Sequence, residues 1–298
     1  MNAAGTRTGD AQTYRQAIAT ICIGIFSLVL SDVLAKWLTS YYAPLQLVFV
    51  RNLIALPMIA AAVYVAGGGQ ALRTRHLRVH AVRGVFWICA AFTFFSGLKI
   101  LPLAEATCLV FAAPLFITAL SVPLLGEHVG WRRWAAVIAG FAGVLIIVRP
   151  GAAAFQSASL YVVATAIFYA LFMISARWID REENMWTMML YLVLFGILYS
   201  APAVVLQWET VQVSHLPSFF GMAVFGTLGI TLISHAFRLA PAAIVAPFDY
   251  TALVWASLFG WLVWDEIPGA WTYTGAAVIV ASGVYIVLRE ARQDSPRA

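Results

Sequence analysis

The chain has 298 residues, 62% of them apolar and only 10% charged, and its mean hydropathy is +0.88. A soluble globular chain carries about 25% charged residues, so this composition excludes a soluble protein, and the net charge of +5 bears on membrane placement rather than on nucleic acid as a partner. Three cysteines, Cys22, Cys89 and Cys108, all sit inside apolar runs, which argues against a disulfide framework and against a structural metal.

The opening stretch, MNAAGTRTGDAQTYRQ, is polar, and the apolar run behind it continues without a small-residue cleavage site. It reads as a retained membrane helix rather than a cleaved signal. A spanning helix needs roughly 20 apolar residues. Ten stretches qualify: 16–38, 44–66, 81–100, 103–125, 131–149, 157–178, 185–207, 216–238, 241–264 and 270–289. The connections are short and leave no room for a soluble domain, so the expected fold is an all-α integral membrane protein of ten transmembrane helices. Pro44, Pro102, Pro150 and Pro241 fall near helix ends, where a missing backbone N–H costs little. Pro57, Pro114, Pro123, Pro202 and Pro247 fall within spans or near their ends, which is tolerated where neighbours satisfy the freed carbonyls. Trp131, Trp134, Trp186, Trp208, Trp264 and Trp271 lie at predicted helix ends and read as headgroup anchors. The least repetitive parts are the charged turn Asp180-Arg181-Glu182-Glu183-Asn184 and the polar loop 207–217.

In a ten-span chain, Arg7, Arg15, Arg73, Arg75, Arg78, Arg83, Arg132, Arg133, Arg177, Arg181, Arg238, Arg289, Arg292 and Arg297 fall on one side. Lys36, Lys99 and Arg149 fall on the other, and Arg51 lies inside the second span. The positive-inside rule then places both termini in the cytoplasm of a cell whose cytoplasmic (inner) membrane the chain crosses repeatedly.

The stretch 98–149 is written again at 237–289. A shift of 139 residues puts Lys99 on Arg238, Pro102 on Pro241, Ala104 on Ala243 and Glu127 on Glu266; one inserted residue then puts Gly143 on Gly283 and Arg149 on Arg289. The expected organisation is a cytoplasmic tail (1–15), a five-helix repeat (16–150), a second five-helix repeat (151–290) and a short cytoplasmic tail (291–298). Five helices per half turn the second copy upside down, the inverted-repeat plan of secondary transporters. No long hydrophilic loop, metal cluster, cofactor or nucleotide motif supports an enzyme.

Charges inside hydrocarbon cost at least about 2.5 kcal/mol each and need a reason. Asp32 and Lys36 share a face of helix one, either as a local ion pair or with Asp32 on a cavity wall. Arg51 either snorkels or turns its fork inward to hold a carboxylate; its neighbour Asn52 is the weaker candidate. Asp249, two residues after Pro247, is either a cavity residue or held by a buried structural partner. His235, the residue type most able to change charge near neutral pH, is either a functional group or a neutral, hydrogen-bonded core histidine. Both are substrate or coupling candidates. Phe92, Phe95 and Tyr250 are candidate ring contacts for a flat or cationic solute. Glu105 lies close to the surface. Glu127 and Glu266 read as architecture, each capping the helix that follows, alongside Lys36, Pro114 and Pro247.

With its ten spans, its five-plus-five duplication and the segment GLKILPLAEATCLVFAAPLFITALSVPLLGEHVGWRRWAAVIAGFAGVLIIV, the chain resembles the ten-helix EamA-type members of the drug/metabolite transporter superfamily. Arg51, Pro114, Glu127 and Gly143 match that pattern. Leu253 stands where the second half would carry the counterpart of Pro114, which leaves the bend of helix nine open. The resemblance implies that helices one to four and six to nine surround a central cavity and that five and ten support it from outside. The implied activity is alternating-access export of small metabolites, amino acids including aromatic ones first. The alternatives are another metabolite or a cationic drug, or a receptor or scaffold that transports nothing. The expected partners are a small solute and membrane lipid; oligomeric state and proton coupling are open.

Overall fold

A computed structural model describes residues 3–67, 73–150, 156–179 and 183–293, and among these residues twelve α-helices and three 3-10 turns carry the chain back and forth. Asp180, Arg181, Glu182 and Arg297 lie outside the described residues. The helices are α1 (Ala3–Leu38), α2 (Pro44–Gly67), α3 (Leu77–Leu98), α4 (Leu103–Val110), α5 (Ala113–Leu125), α6 (Trp131–Val148), α7 (Ala158–Ser175), α8 (Met185–Leu206), α9 (Leu216–Leu239), α10 (Ala242–Val245), α11 (Thr251–Trp264) and α12 (Ala270–Gln293). Among the described residues, nine segments are long and apolar enough to cross a membrane. The tenth expected span, 241–264, is divided between α10, a 3-10 turn at Ala246–Tyr250 and α11.

The most extensive helix pairings are α1 with α9, α6 with α12, α3 with α7 and α2 with α8. Exchanging the halves, span one for six and so on, turns the first pair into the third and returns the other two to themselves. The contact map therefore obeys the two-fold relation of an inverted repeat. Close crossings rest on glycine. A Cβ on Gly275 of α12 would stand 2.6 Å from the Gly143 carbonyl oxygen of α6, and one on Gly143 would stand 2.9 Å from that of Gly275. Apolar helices in lipid gain association mainly from such close packing, so spans five and ten form a buttress on one side of the bundle.

Spans four and nine are broken, and at matching places. Pro114, the second residue of α5, requires no partner for its missing N–H in a first turn, and the chain turns at Phe111 and Ala112 before it. In the second half Pro247 is the second residue of the 3-10 turn, which ends on Tyr250, the position matching Phe111. The bend of span nine thus needs no proline at Leu253. Each broken span then ends in the same backbone device. Gly126 (φ 68°) and Asp265 (φ 56°) adopt the left-handed conformation. Behind them the Glu127 N–H reaches the Ser121 carbonyl at 3.4 Å and the Glu266 N–H reaches that of Gly260 at 3.0 Å. This αL closure places a glutamate at a fixed point on each face of the bundle. The two faces are called here the Lys36 face and the Arg177 face.

Candidate functional site

Arg51 lies seven residues into α2, roughly 10 Å along the helix axis at 1.5 Å per residue. Its guanidinium sits over the indole of Trp87 on α3, 5.8 Å from the ring centroid. Both line a cavity of about 50 Å³ together with Asn52, Met189 of α8, and Thr227 of α9. That is room for a carboxylate or one or two waters, each of which takes about 30 Å³ in the liquid. Arg51 Nη2 donates weakly to Asn52 Oδ1 at 3.5 Å. This leaves Asn52 Nδ2, on a side chain only 1% exposed, buried without a hydrogen-bond partner. A buried amide donor left unmade costs about 1–3 kcal/mol, a cost an acceptor in the cavity would remove. Room for the amide comes from Gly196 of α8, where a Cβ would stand 2.3 Å from Nδ2. Asp32, half-buried on α1, lies within electrostatic reach of Arg51.

From Trp87 a run of rings and cations continues. Trp87 meets Phe172 of α7 at 5.3 Å, and Phe172 meets Tyr169 at 6.2 Å. Arg83, buried and one turn before Trp87 on α3, sits 4.6 Å from the Phe172 ring centroid and has one guanidinium nitrogen unpartnered. Tyr169 and Tyr250 both feel the charge of Asp249, whose Oδ1 is likewise buried without a partner. Tyr250 also packs on Phe111. A second cavity of about 520 Å³ lies between α5 and α7 at the Arg177 face, lined by Ile117, Ser121, Glu127, Met173 and Arg177 among others. Its volume lies within the usual range of about 300–1,000 Å³ for small-molecule sites.

Lys36 does not pair with Asp32. Its ammonium lies 2.6 and 2.9 Å from the carboxylate oxygens of Glu266 and donates to the Leu101 carbonyl at 2.7 Å, with the Trp264 ring 5.0 Å away. Glu266 Oε2 also accepts from the Leu103 N–H at 3.0 Å, the first residue of α4. Glu266 therefore caps the broken span of the other half, and the Trp264 ring lies over the lysine. Glu127 does not cap α6 either: that helix starts behind Gly130 with no side-chain cap, and the Glu127 carboxylate accepts from Arg177. Local spacing favoured the neighbour four residues away; the fold supplied a carboxylate 230 residues away.

The other sequence candidates scatter. Phe95 is buried in the core, whereas Phe92 is exposed, so the two do not form one ring surface. His235 is exposed on α9. Glu105 is half-buried and within reach of the Arg149 charge. Sequence reasoning passed over Arg83 and Arg177 as ordinary face charges and rated Asn52 below Arg51. One signal was available for Arg177: Ala35-Lys36-Trp37 recurs as Ala176-Arg177-Trp178. Among the described residues, no group of three His, Cys, Asp or Glu side chains could hold a metal ion.

The family model described as the EamA-like transporter family matches residues 15–149 and again residues 156–289. An S-adenosylmethionine uptake transporter of Rickettsia bellii is 29% identical over 290 residues, covering 96% of this chain and 98% of its own. A riboflavin transporter of Vibrio cholerae is 30% identical over 272 residues, with 85% and 88% covered. A pseudopaline exporter of Pseudomonas aeruginosa is 26% identical over 275 residues, with 90% and 94% covered. A solved crystal structure superposes with a TM-score of 0.63 over 93% of this chain and 99% of that one at 23% identity, a likeness of fold alone.

Proposed function

The chain belongs to the EamA-like transporter family, and on that premise we propose that it carries a zwitterionic metabolite with a flat ring, S-adenosylmethionine being the first candidate. The observation that carries this reading is the Arg51 guanidinium over Trp87, beside the unpartnered Asn52 amide. A rigid fork and an amide donor suit a carboxylate, and the neighbouring rings suit a stacked heterocycle. Asp32 and Asp249 supply negative charge for an ammonium or sulfonium centre. The solute enters through the 520 Å³ cavity, and its carboxylate end reaches Arg51 when the bundle rearranges.

The names of the relatives favour S-adenosylmethionine, riboflavin or pseudopaline over amino acids as such. Aromatic amino acids share the head group and stay as competitors, because the Trp87–Phe172–Tyr169 run would accept their rings. The charge count along the chain supports placing the Arg177 face and both termini in the cytoplasm of a cell with this chain in its inner membrane. The named relatives include both uptake and export, so their names assign no direction.

Counterflow in proteoliposomes tests the assignment, with tritiated S-adenosylmethionine, riboflavin and tryptophan offered separately. The expected outcome is S-adenosylmethionine exchange that Arg51→Gln lowers at least ten-fold. Exchange of riboflavin or tryptophan without S-adenosylmethionine would overturn it.

A further inference from the structure

Glu127 and Glu266 hold matching positions, and so do their basic partners Arg177 and Lys36 within the repeated Ala-Arg/Lys-Trp triplet. Their surroundings differ. The Lys36 and Glu266 side chains are 7% and 24% exposed, and both also bind main chain at the entry to α4. The Arg177 and Glu127 side chains are 60% and 36% exposed, at the edge of the 520 Å³ cavity. One face is shut over its ion pair; the other stands open.

We propose that Glu266 and Glu127 are the alternating closures of the transport cycle. On whichever face is shut, the glutamate bridges a basic residue of span one or six to the main chain where the opposite half's broken span begins. When the Arg177 face shuts, Arg177 and Glu127 take up the carbonyl of Ala240 and the N–H of Ala242, the counterparts of Leu101 and Leu103. The energetics suit a switch. An exposed ion pair contributes little; the same pair, dried and given main-chain partners, binds much more strongly. Each pair thus stabilises most the state that buries it, which is the differential interaction a two-state element requires. Phe111 against Tyr250 at the centre lets the two broken spans rock without parting. Glu127 and Glu266 act as positioning residues through their basic partners, Glu127 at the rim of the entry cavity, and the inference holds for any cargo.

The test is thiol accessibility in the full chain with Cys22, Cys89 and Cys108 replaced by alanine, held in lipid nanodiscs so that both faces meet a membrane-impermeant maleimide. Two single-cysteine reporters are used: Ala104→Cys, beside the lock and 3% exposed, and Ile117→Cys, lining the open cavity. In the parent, the Ile117 reporter reacts fast and the Ala104 reporter slowly. Glu266→Gln and Lys36→Met should each speed the Ala104 reporter at least ten-fold and slow the Ile117 reporter several-fold, while Lys36→Arg keeps the parent pattern and controls for folding. Glu127→Gln should leave both reporters as in the parent and, added to Glu266→Gln, abolish the slowing at Ile117. Faster labelling at Ala104 with no change at Ile117 would mean local fraying and overturn the proposal, as would no change at either. No solute is needed, so failure here is separate from failure of the substrate assignment.

Discussion

Phe111 and Tyr250 hold matching positions of the two halves and lie against each other, ring centroids 4.8 Å apart at 56°. A residue that touches its own counterpart must lie on the axis relating the halves. The axis therefore passes between these rings, where both broken spans bend.

Gly283 of α12 leaves room for that arrangement, since a Cβ there would stand 2.2 Å from the Tyr250 hydroxyl. Gly283→Ala should lower stability by about 1–3 kcal/mol, the usual cost of overpacking, and Tyr250→Phe in the same chain should recover most of it. Thermal unfolding of the four variants in detergent reads the coupling; simple additivity would refute the contact.

At the Arg51 cavity the same logic applies to Gly196. Gly196→Ala should displace the Asn52 amide and cut counterflow at least ten-fold. Adding Asn52→Ser should restore the unfolding temperature but not the flux. Recovery of both would show that Asn52 serves packing and meets no solute.

Lys36→Met leaves Glu266 partly buried without its cation, and breaking such a pair costs about 3 kcal/mol. Lys36→Met with Glu266→Leu should be less destabilised than the sum of the two single changes. A double variant worse than the sum would mean that the two side chains stabilise the fold through separate partners.

Glu127 lies outside the spans, and the hydrogen bond from Arg177 holds its carboxyl below the usual carboxylate range. A depressed folded value means that the contact contributes above the unfolded value, about 4.3, and is lost as pH falls through the folded one. The stability difference between the parent and Glu127→Gln should therefore be flat from pH 7 to 5 and vanish only in stronger acid. A difference already gone at pH 6 would contradict the pairing.

Most of the architecture is legible in the chain, because hydropathy marks spans and basic residues mark faces. The repeat is legible where Pro102, Glu127 and Arg149 punctuate it and faint where apolar residues match each other cheaply. The bend of span nine was written in Pro247 rather than at Leu253, so it is found from the place where a backbone N–H is missing and not from alignment to Pro114. The site was less legible. Apolar helices carry no face periodicity, so nothing along α3 separates Trp87, which meets Arg51, from Phe92, which is exposed. The partners of Lys36 lie on other helices, and no spacing rule reaches them.

Part of the lock on the Lys36 face is backbone. The lysine grips the carbonyl of Leu101 and the glutamate grips the amide of Leu103, groups that nearly every residue type carries. Substitution at either leucine can therefore proceed by size and greasiness while the keyhole persists, except for proline at position 103, which has no amide hydrogen to offer. Comparison of sequences would then find the key, a lysine and a distant glutamate, and never the place it fits.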